Sequence, residues 1–346
     1  MEPYGQSVGR RYKEETDTLI QDPFTNDFCK IIQSKAFRRL SDKTQVFSLT
    51  GDPHIRTRLA HTNEVIATSI AIADQLGLNE SLCMAIAAGH DMGHTPYGHL
   101  GEEKLAKLSG KKFQHNVFGV VIAQHIERGG LGLNLAFETL EGILKSSRGA
   151  GKLSVDENVP HEYTAAMFAD KISYTFADLN DAIRNRYLKK VPPVAKKLGW
   201  DQRTRTTKVV EALVAESKEK DAVSFSKGEV YEQFEELRSF MYKNVYHEIN
   251  TYLHKGIVEG IYHFFSNDSK FKEKFPSLDP VIATALLTDK EADEFSGILM
   301  KMKKPSLDDI KHFGIFDIFS DFDFMKKDPA GIDYINPDLD WREKAV

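Results

Sequence analysis

HDMGHTPYGH, residues 90 to 99, is the most informative stretch of this 346-residue chain. It holds three histidines beside one aspartate and two glycines. A solvated surface does not select such a composition, and a buried core would have to satisfy every imidazole nitrogen separately. Metal or phosphate chemistry explains it better, because the adjacent His90 and Asp91 offer one nitrogen and one oxygen ligand. Glycines at positions 89 and 93 let other groups approach closely.

Two residues cannot hold a metal ion alone, so further ligands must come from elsewhere. His61 is the upstream candidate: a lone helical histidine is more often structural, but the cluster downstream favours a ligand. Asp170 interrupts the apolar run AAMFADKISYTFA (165 to 177), where a carboxylate must be paired or bound to a cation. Binding a cation would make Asp170 the fourth ligand, and an ion pair with Lys171 or an arginine is the alternative.

The helical period places two more side chains near Asp170. Tyr174 lies about 40° and Asp178 about 80° from Asp170 around a helix axis, so all three can face one cavity. Two histidines and two aspartates without a thiolate suit a hard or borderline divalent ion. That ligand set does not choose among Mn²⁺, Mg²⁺, Fe²⁺ and Zn²⁺.

Apolar residues recur with the helical period along the chain, and runs of strict alternation are scarce, so the sequence predicts an all-α fold. Capping residues locate several helices: Asp22 and Pro23 begin one, Gly77 ends another and Asn79 begins a third. The predicted helices span about residues 22–40, 57–76, 79–88, 101–108, 114–127, 136–145, 160–187 and 231–265.

Composition excludes several classes of protein. Hydrophobic residues at 41% support a sizeable core, which a disordered chain lacks. The net charge of −5 provides no overall positive field, so any anion-binding surface must be local. No apolar stretch approaches the roughly 20 residues that cross a bilayer, and residues 1–15 lack the apolar region of a secretion signal. Cys29 and Cys83 form neither a disulfide framework nor a zinc motif, so we expect a reducing, cytoplasmic setting.

Residues 186–220 are the most basic stretch, with ten Lys/Arg against four Asp/Glu. A solvated helical arm is the ordinary explanation of such a stretch. The alternative is a strip that follows the phosphates of single-stranded DNA.

Six segments, in order, closely resemble the deoxyguanosinetriphosphate triphosphohydrolases and related dNTP triphosphohydrolases, a branch of the HD-domain phosphohydrolases. They are SKAFRRLSDKTQVF (34 to 47), RTRLAH (56 to 61), HDMGHTPYGHLGEE (90 to 103), FQHN (113 to 116), GLNL (132 to 135) and ADKISYTFADLNDA (169 to 182). The resemblance covers about residues 10–185, with a looser echo at LRSFMYKNVYHE (237 to 248). Thr95 and Tyr97 stand where that family more often has proline and phenylalanine.

The resemblance implies an HD-domain helical phosphohydrolase fold with an additional helical C-terminal lobe. It divides the chain into a catalytic core, 1–185, and a basic arm with a helical C-terminal region, 186–346, packed on that core. It implies cleavage of a dNTP, with dGTP expected, between the 5′ oxygen and the α-phosphorus, giving deoxynucleoside and inorganic triphosphate. It also implies a divalent cofactor, Mn²⁺ or Mg²⁺ first with Fe, Co, Ni and Zn open, and a homo-oligomer.

Roles follow from the resemblance, residue by residue. The metal ligands would be His61, His90, Asp91 and Asp170. The catalytic group would be His99, Glu102 and His115. Substrate contacts would come from Arg58, His94 and Lys171 on the phosphates, Tyr174 on the deoxyribose, and Gln45 and Asp178 on the 3′-OH.

Two other functions stay open at this point. One is hydrolysis of a different nucleotide phosphoester, against which the segments RTRLAH and ISYTFADLND argue because they match the triphosphohydrolase branch. The other is a nucleic-acid-binding or regulatory HD module. Single-stranded DNA or a nucleotide remains a candidate effector, and no membrane partner is expected.

Overall fold

The computed structural model describes residues 1–13, 19–47, 52–147, 153, 155, 158–246, 252–276, 278–320 and 332–342. Within these ranges the all-α prediction is confirmed, because sixteen α-helices are present and the only β pairing is two isolated bridges. The helices are α1 Pro23–Ile32, α2 Lys35–Arg39, α3 Arg58–Leu76, α4 Glu80–Gly89, α5 His99–Ser109, α6 His115–Val121, α7 Phe137–Ser146, α8 His161–Arg184, α9 Pro193–Leu198, α10 Gln202–Lys220, α11 Glu229–Met241, α12 Tyr252–Asn267, α13 Ser269–Lys274, α14 Pro280–Ala285, α15 Asp289–Lys301 and α16 Gly314–Ser320. Single π-helical turns follow α6 at Ile122–Ile126 and α11 at Tyr242–Tyr246.

Local capping explains where the helices around the HD segment begin and end. The hydroxyl of Thr57 accepts from the first turn of α3, and Gly77 ends that helix with φ +65°. Asn79 caps α4 by accepting from the amide of Leu82 at 3.0 Å. The boundaries predicted at Gly77 and Asn79 are confirmed. No helix in the described part of the chain has both the length and the apolar character needed to span a bilayer.

The single helix predicted over residues 22–40 is wrong at its centre, where α1 ends and α2 begins. Ser34 caps α2 with its hydroxyl. The carboxylate of Glu127 accepts the amides of Lys35 at 3.2 Å and Ala36 at 2.7 Å. These acceptors satisfy N–H groups that a new helix start leaves open. Glu127 is distant in sequence, so local patterning could not reveal the break. In the stretch 231–265, α11 and the π-helical turn cover the residues up to 246 and α12 begins at Tyr252; residues 247–251 lie outside the described residues.

Two hydrophobic clusters hold the helices together. One joins α1, α2 and α4–α7 to α12–α16, and the other joins α3, α4 and α8 to α9–α11. Helix α4 belongs to both, and α3 lies along α4 and α8. The C-terminal end of α4, from which His90 and Asp91 continue, is therefore fixed from both sides. Both clusters join residues on either side of position 185, and the domain boundary there stays a prediction.

Residues 186–220 form α9 and α10, which pack against α8 and α11 rather than projecting as an arm. Arg205 is only 2% exposed. Its guanidinium donates to the carbonyl oxygens of Ala195, Gly199 and Trp200 at 3.0 to 3.2 Å, which fixes the turn between the two helices. Part of the basic character of this stretch therefore serves the fold.

Candidate active site

A cleft of about 260 Å³ opens between α3, α5, α8 and the π-helical turn after α11. It gathers nearly all of the side chains that the sequence predicts for the site. The predicted residues that line it are Gln45, Arg58, His61, His90, Asp91, His94, His99, His115, Asp170, Lys171, Tyr174 and Asp178. The remaining predicted residue, Glu102, lies behind the histidines and contacts three of them.

The four predicted metal ligands converge at one end of the cleft. His61 Nε2 lies 3.1 Å and His90 Nε2 lies 3.8 Å from Asp170 Oδ1. His90 Nε2 is also 3.4 Å from Asp91 Oδ1. Ligand atoms around one small divalent ion, each about 2.0 to 2.2 Å from it, lie at comparable separations from one another. These residues could therefore hold a metal ion.

The hydrogen bonding and the pKa values of these ligand residues also fit a bound metal ion. His90 Nδ1 lies 2.7 Å from the carbonyl oxygen of Ala87, which fixes the ring, and its buried Nε2 has no hydrogen-bond partner among the described residues. Burial opposes ionisation of Asp170, but the hydrogen bond with His61 brings the pKa of Asp170 down to about 2. For Asp91, burial is likewise outweighed by nearby His90 and Arg58, and its pKa is well below the usual range. Both carboxylates are therefore ionised at neutral pH.

Two glycines allow the loop between α4 and α5 to reach this position. A Cβ at Gly93 would overlap the carbonyl oxygen of His115 and the amide nitrogen of Gly119, so the close approach expected at position 93 is confirmed. A Cβ at Gly98 would overlap the guanidinium of Arg58, and Gly98 has φ +58°, which glycine adopts easily.

Glu102 organises a group of three histidines beside the ligands. One of its oxygens, Oε1, lies 2.8 Å from Nδ1 of both His94 and His115 and 3.3 Å from Nδ1 of His99. The rings of His94 and His115 stack at 3.8 Å, and His94 Nε2 lies 3.2 Å from Asp91 Oδ1. The sequence predicted that Glu102 would orient His99; the structure brings all three histidines to the same carboxylate.

The three histidines differ in their environment. Burial and the nearby Arg58 bring the pKa of His94 down to about 3, so this ring is neutral. The side chain of His99 is 71% exposed to the cleft. Desolvation of the imidazole by neighbouring protein atoms lowers its pKa, but the hydrogen bond with Glu102 outweighs this and the net pKa is raised. His99 therefore keeps a proton more readily than His94 does, and its exposure lets it meet a ligand.

Two acceptors in the cleft have no hydrogen-bond partner among the described residues. Gln45 Oε1 and Asp178 Oδ1 are both buried and make no hydrogen bond in the described residues. The other oxygen of Asp178 accepts from the hydroxyl of Tyr246 at 2.8 Å. Burial raises the pKa of Asp178 to about 8 despite that bond, so its carboxyl is mostly protonated at neutral pH. Such a pair suits a ligand hydroxyl, which both donates and accepts.

Buried cations complete the cleft. Arg58 is buried on the first turn of α3, and its guanidinium donates to Asp91 Oδ2 at 2.8 Å and to the carbonyl oxygen of Gln45 at 3.4 Å. Lys171 is buried beside the ring of Tyr174, with its Nζ 5.8 Å from the ring centre. Cations held this close to the ligand cluster favour an anionic ligand.

Sequence reasoning missed several lining residues. Tyr242 and Tyr246 face the cleft from the π-helical turn, with their rings 5.0 Å apart. The echo at residues 237–248 was their only signal in the sequence. Ser147 places its hydroxyl 2.9 Å from His115 Nε2, and nothing in the sequence distinguished it from other serines.

Comparisons with known proteins identify the family of this chain. Residues 58–175 match the HD domain family. Three relatives carry the name deoxyguanosinetriphosphate triphosphohydrolase-like protein. That of Caldanaerobacter subterraneus is 40% identical over 278 residues, covering 78% of this chain and 79% of the relative. Those of Clostridium perfringens strain SM101 and Desulfatibacillum aliphaticivorans are 41% and 39% identical, each covering 70% of this chain and 72% of the relative.

The chain belongs to the deoxyguanosinetriphosphate triphosphohydrolase-like family. It is therefore a hydrolase of the HD phosphohydrolase class, as the resemblance implied. HD domains bind divalent metals, and three of the ligand atoms, those of His61, His90 and Asp91, lie within 4.8 Å of one another. The roles of individual residues stay predictions.

For this family member, Asp170→Ala is expected to abolish metal binding, because it removes a ligand whose oxygen lies next to both His61 and His90. Metal content after loading with Mn²⁺ and gel filtration, measured by mass spectrometry, checks this. Tyr174→Phe, one turn further along α8, is the matched control and should keep the metal. Full occupancy in Asp170→Ala would contradict the ligand set.

The pKa of Asp178 predicts a pH-dependent stability. Since the folded-state pKa, about 8, lies above the ordinary value of 3.8, protonated Asp178 contributes stability that is fully present below about pH 4 and is lost as pH rises through 8. Asp178→Asn stays neutral throughout. Its Tm relative to the wild type should therefore rise between pH 4 and 8 and then level off. Thermal unfolding across this range measures it, and a constant Tm difference would show that the assignment is wrong.

Proposed function

We propose that this protein is a metal-dependent dNTP triphosphohydrolase that converts a dNTP, with dGTP as the expected substrate, to deoxynucleoside and inorganic triphosphate. The observation that supports it is the meeting of a four-residue ligand set and the Glu102 histidine group in one cleft. In the reaction, water attacks the α-phosphorus, the bond from that phosphorus to the 5′ oxygen breaks, and the 5′ oxygen takes a proton.

We assign the metal to His61, His90, Asp91 and Asp170, with Mn²⁺ or Mg²⁺ favoured. The mixed nitrogen and oxygen ligands also suit Fe, Co, Ni or Zn. Once bound, such an ion supplies Lewis-acid polarisation of the phosphate and of water.

We assign acid–base work to His99, Glu102 and His115. The raised pKa of His99 keeps a proton available for the 5′ oxygen, and its exposure in the cleft lets it reach the substrate. Glu102 holds both His99 and His115 through their Nδ1 atoms, so their Nε2 atoms point elsewhere. For His115 that direction is towards Ser147.

Substrate contacts follow the distribution of charge and unpaired acceptors. A triphosphate carries about four negative charges, which Arg58, Lys171 and the neutral His94 would bind. Elsewhere in the cleft, the oxygens Gln45 Oε1 and Asp178 Oδ1, which lack partners among the described residues, would fit the 3′-OH. The ring of Tyr174 would pack against the deoxyribose and leave little room for a 2′-OH.

The test is to incubate the protein with each dNTP and with GTP, with Mn²⁺ or Mg²⁺ or with chelator, and to separate the products by anion exchange. Deoxynucleoside with intact triphosphate supports the proposal and ranks the bases. Monophosphate with pyrophosphate would mean another cleavage position. Turnover of other phosphoesters alone would favour a hydrolase of a different nucleotide phosphoester. No turnover at all would favour the nucleic-acid-binding or regulatory HD module.

His99→Ala should lower kcat by about 10²- to 10⁴-fold, the usual contribution of a general acid, while metal content stays unchanged. Steady-state kinetics with dGTP and metal analysis of the same sample check both parts. His263→Ala, which removes an exposed histidine on α12, is the control. An unimpaired rate in His99→Ala would exclude the catalytic role.

We also propose single-stranded DNA as an effector, on one specific observation. Trp200 is 80% exposed although its carbonyl is fixed by the buried Arg205, so the fold presents a large aromatic ring to solvent. Exposed Lys196, Lys197 and Arg203 lie within four residues of it. An exposed aromatic ring beside cations is the arrangement on which bases stack while phosphates are neutralised. A nucleotide effector, homo-oligomerisation and a cytoplasmic location stay predictions.

Trp200→Ala should weaken binding of a single-stranded oligonucleotide by about ten-fold, the loss expected for one stacked base. Fluorescence anisotropy over a salt series measures this, and wild-type affinity should fall steeply with salt. Leu131→Ala, another exposed apolar side chain, is the control. No binding at low salt, or equal binding by Trp200→Ala, would exclude this surface.

A further inference from the structure

Helix α15 lies beyond the part of the chain that carries the sequence resemblance, yet its first residue contacts the backbone of two segments that line the cleft. Asp289 is 1% exposed. Its Oδ2 accepts the backbone amide of Thr44 at 2.9 Å, and its Oδ1 accepts the backbone amide of Tyr97 at 2.9 Å. Thr44 precedes Gln45, and Tyr97 lies two residues before His99. One carboxylate therefore joins two segments that line the cleft.

Lys43 makes a second connection at the same place. Its buried ammonium donates to the carbonyl oxygen of His94 and lies 3.4 Å from the carbonyl oxygen of Ala285, at the end of α14. The attraction between Lys43 and Asp289 compensates part of the cost of burying each charge. The segment 90–98 is thus held at its middle, through His94, and near its C-terminal end, through Tyr97, by groups from outside it.

Tyr97 shows that this segment needs holding. It has φ +60°, a left-handed conformation that is unfavourable for a residue with a Cβ. Its hydroxyl donates to Asp293 at 2.6 Å, and its ring stacks on His254 at 4.3 Å with an angle of 11°. Asp293 is on α15 and His254 on α12, so the strained residue is held by C-terminal helices through backbone, hydroxyl and ring.

We propose that Asp289 is a positioning residue of the active site. By accepting one amide from residues 43–46 and one from residues 90–98, it fixes Gln45 relative to His94 and His99. It contacts neither the proposed substrate nor a ligand atom of the metal, and acts through the two backbones. The inference rests on the proposed function only for its kinetic consequence; the joining of the two segments can be tested without turnover.

The matched control is a neighbouring change on the same helix. Thr288 caps α15 through a reciprocal pair of hydrogen bonds with Glu291 and makes no hydrogen bond to either segment within the described residues. Thr288→Ala should therefore destabilise α15 without releasing the segments. Asp289→Ala should destabilise α15 and also release the two segments. Asp289→Asn, which keeps one acceptor oxygen, should have an intermediate effect.

The experiment uses the full metal-loaded chain. With dGTP, Asp289→Ala should lower kcat/KM by about 100-fold, the scale of loss from a small misplacement of reacting groups, with unchanged metal content. The kcat/KM of Thr288→Ala should stay within about three-fold of the wild-type value, even if its Tm falls as much as that of Asp289→Ala. Wild-type activity in folded Asp289→Ala, or equal losses in both variants, would overturn the proposal.

Hydrogen exchange gives the second readout. In Asp289→Ala, amide exchange in peptides covering residues 43–46 and 90–98 should become faster than in the wild type, and in Thr288→Ala it should not. If the wild type hydrolyses no dNTP, the proposed function fails while this exchange pattern still supports the positioning role. Unchanged exchange at both segments in Asp289→Ala would overturn it.

Discussion

The contact between His61 on α3 and Asp170 on α8, 3.1 Å from Nε2 to Oδ1, is the constraint around which the site is arranged. A carboxylate inside an apolar helix face is tolerated only beside a cation or hydrogen-bond donors, so α3 and α8 must cross with these two side chains opposed. His90 and Asp91 continue from the C-terminal end of α4 and meet this pair, with His90 Nε2 3.8 Å from Asp170 Oδ1.

A single carboxylate, that of Glu102, contacts three histidines that differ in their surroundings. Glu102 faces three imidazoles, yet burial and the nearby Arg58 make His94 neutral, while exposure in the cleft leaves His99 able to carry a proton. Since the three rings share one oxygen, a change at any of them alters the hydrogen bonds available to the other two. The pKa values of His94 and His99 therefore shift in opposite directions because of their surroundings rather than their residue type.

The sequence was sufficient for features that depend on local spacing. The caps at Gly77 and Asn79, the long helix α8 and the common face of Asp170, Tyr174 and Asp178 follow from helical geometry. Predicting the ligand set required, in addition, the order of the motifs along the chain. Contacts between distant segments could not be predicted: the break before α2 depends on Glu127, a remote residue, and no local pattern announces such a partner.

The same limit applies to the C-terminal third, where the resemblance ended and the sequence offered no role. Asp289 shows that this region contacts the segments 43–46 and 90–98 through their backbone amides, and backbone amides leave no pattern in the sequence. A protein chain emerges from the ribosome in order, so the segment 90–98 is synthesised long before the residue that secures it. With Asp289 as the proposed positioning residue, the cleft is fully ordered only after residue 289 has been synthesised, and a shorter chain carries every predicted site residue without the contact that aligns them.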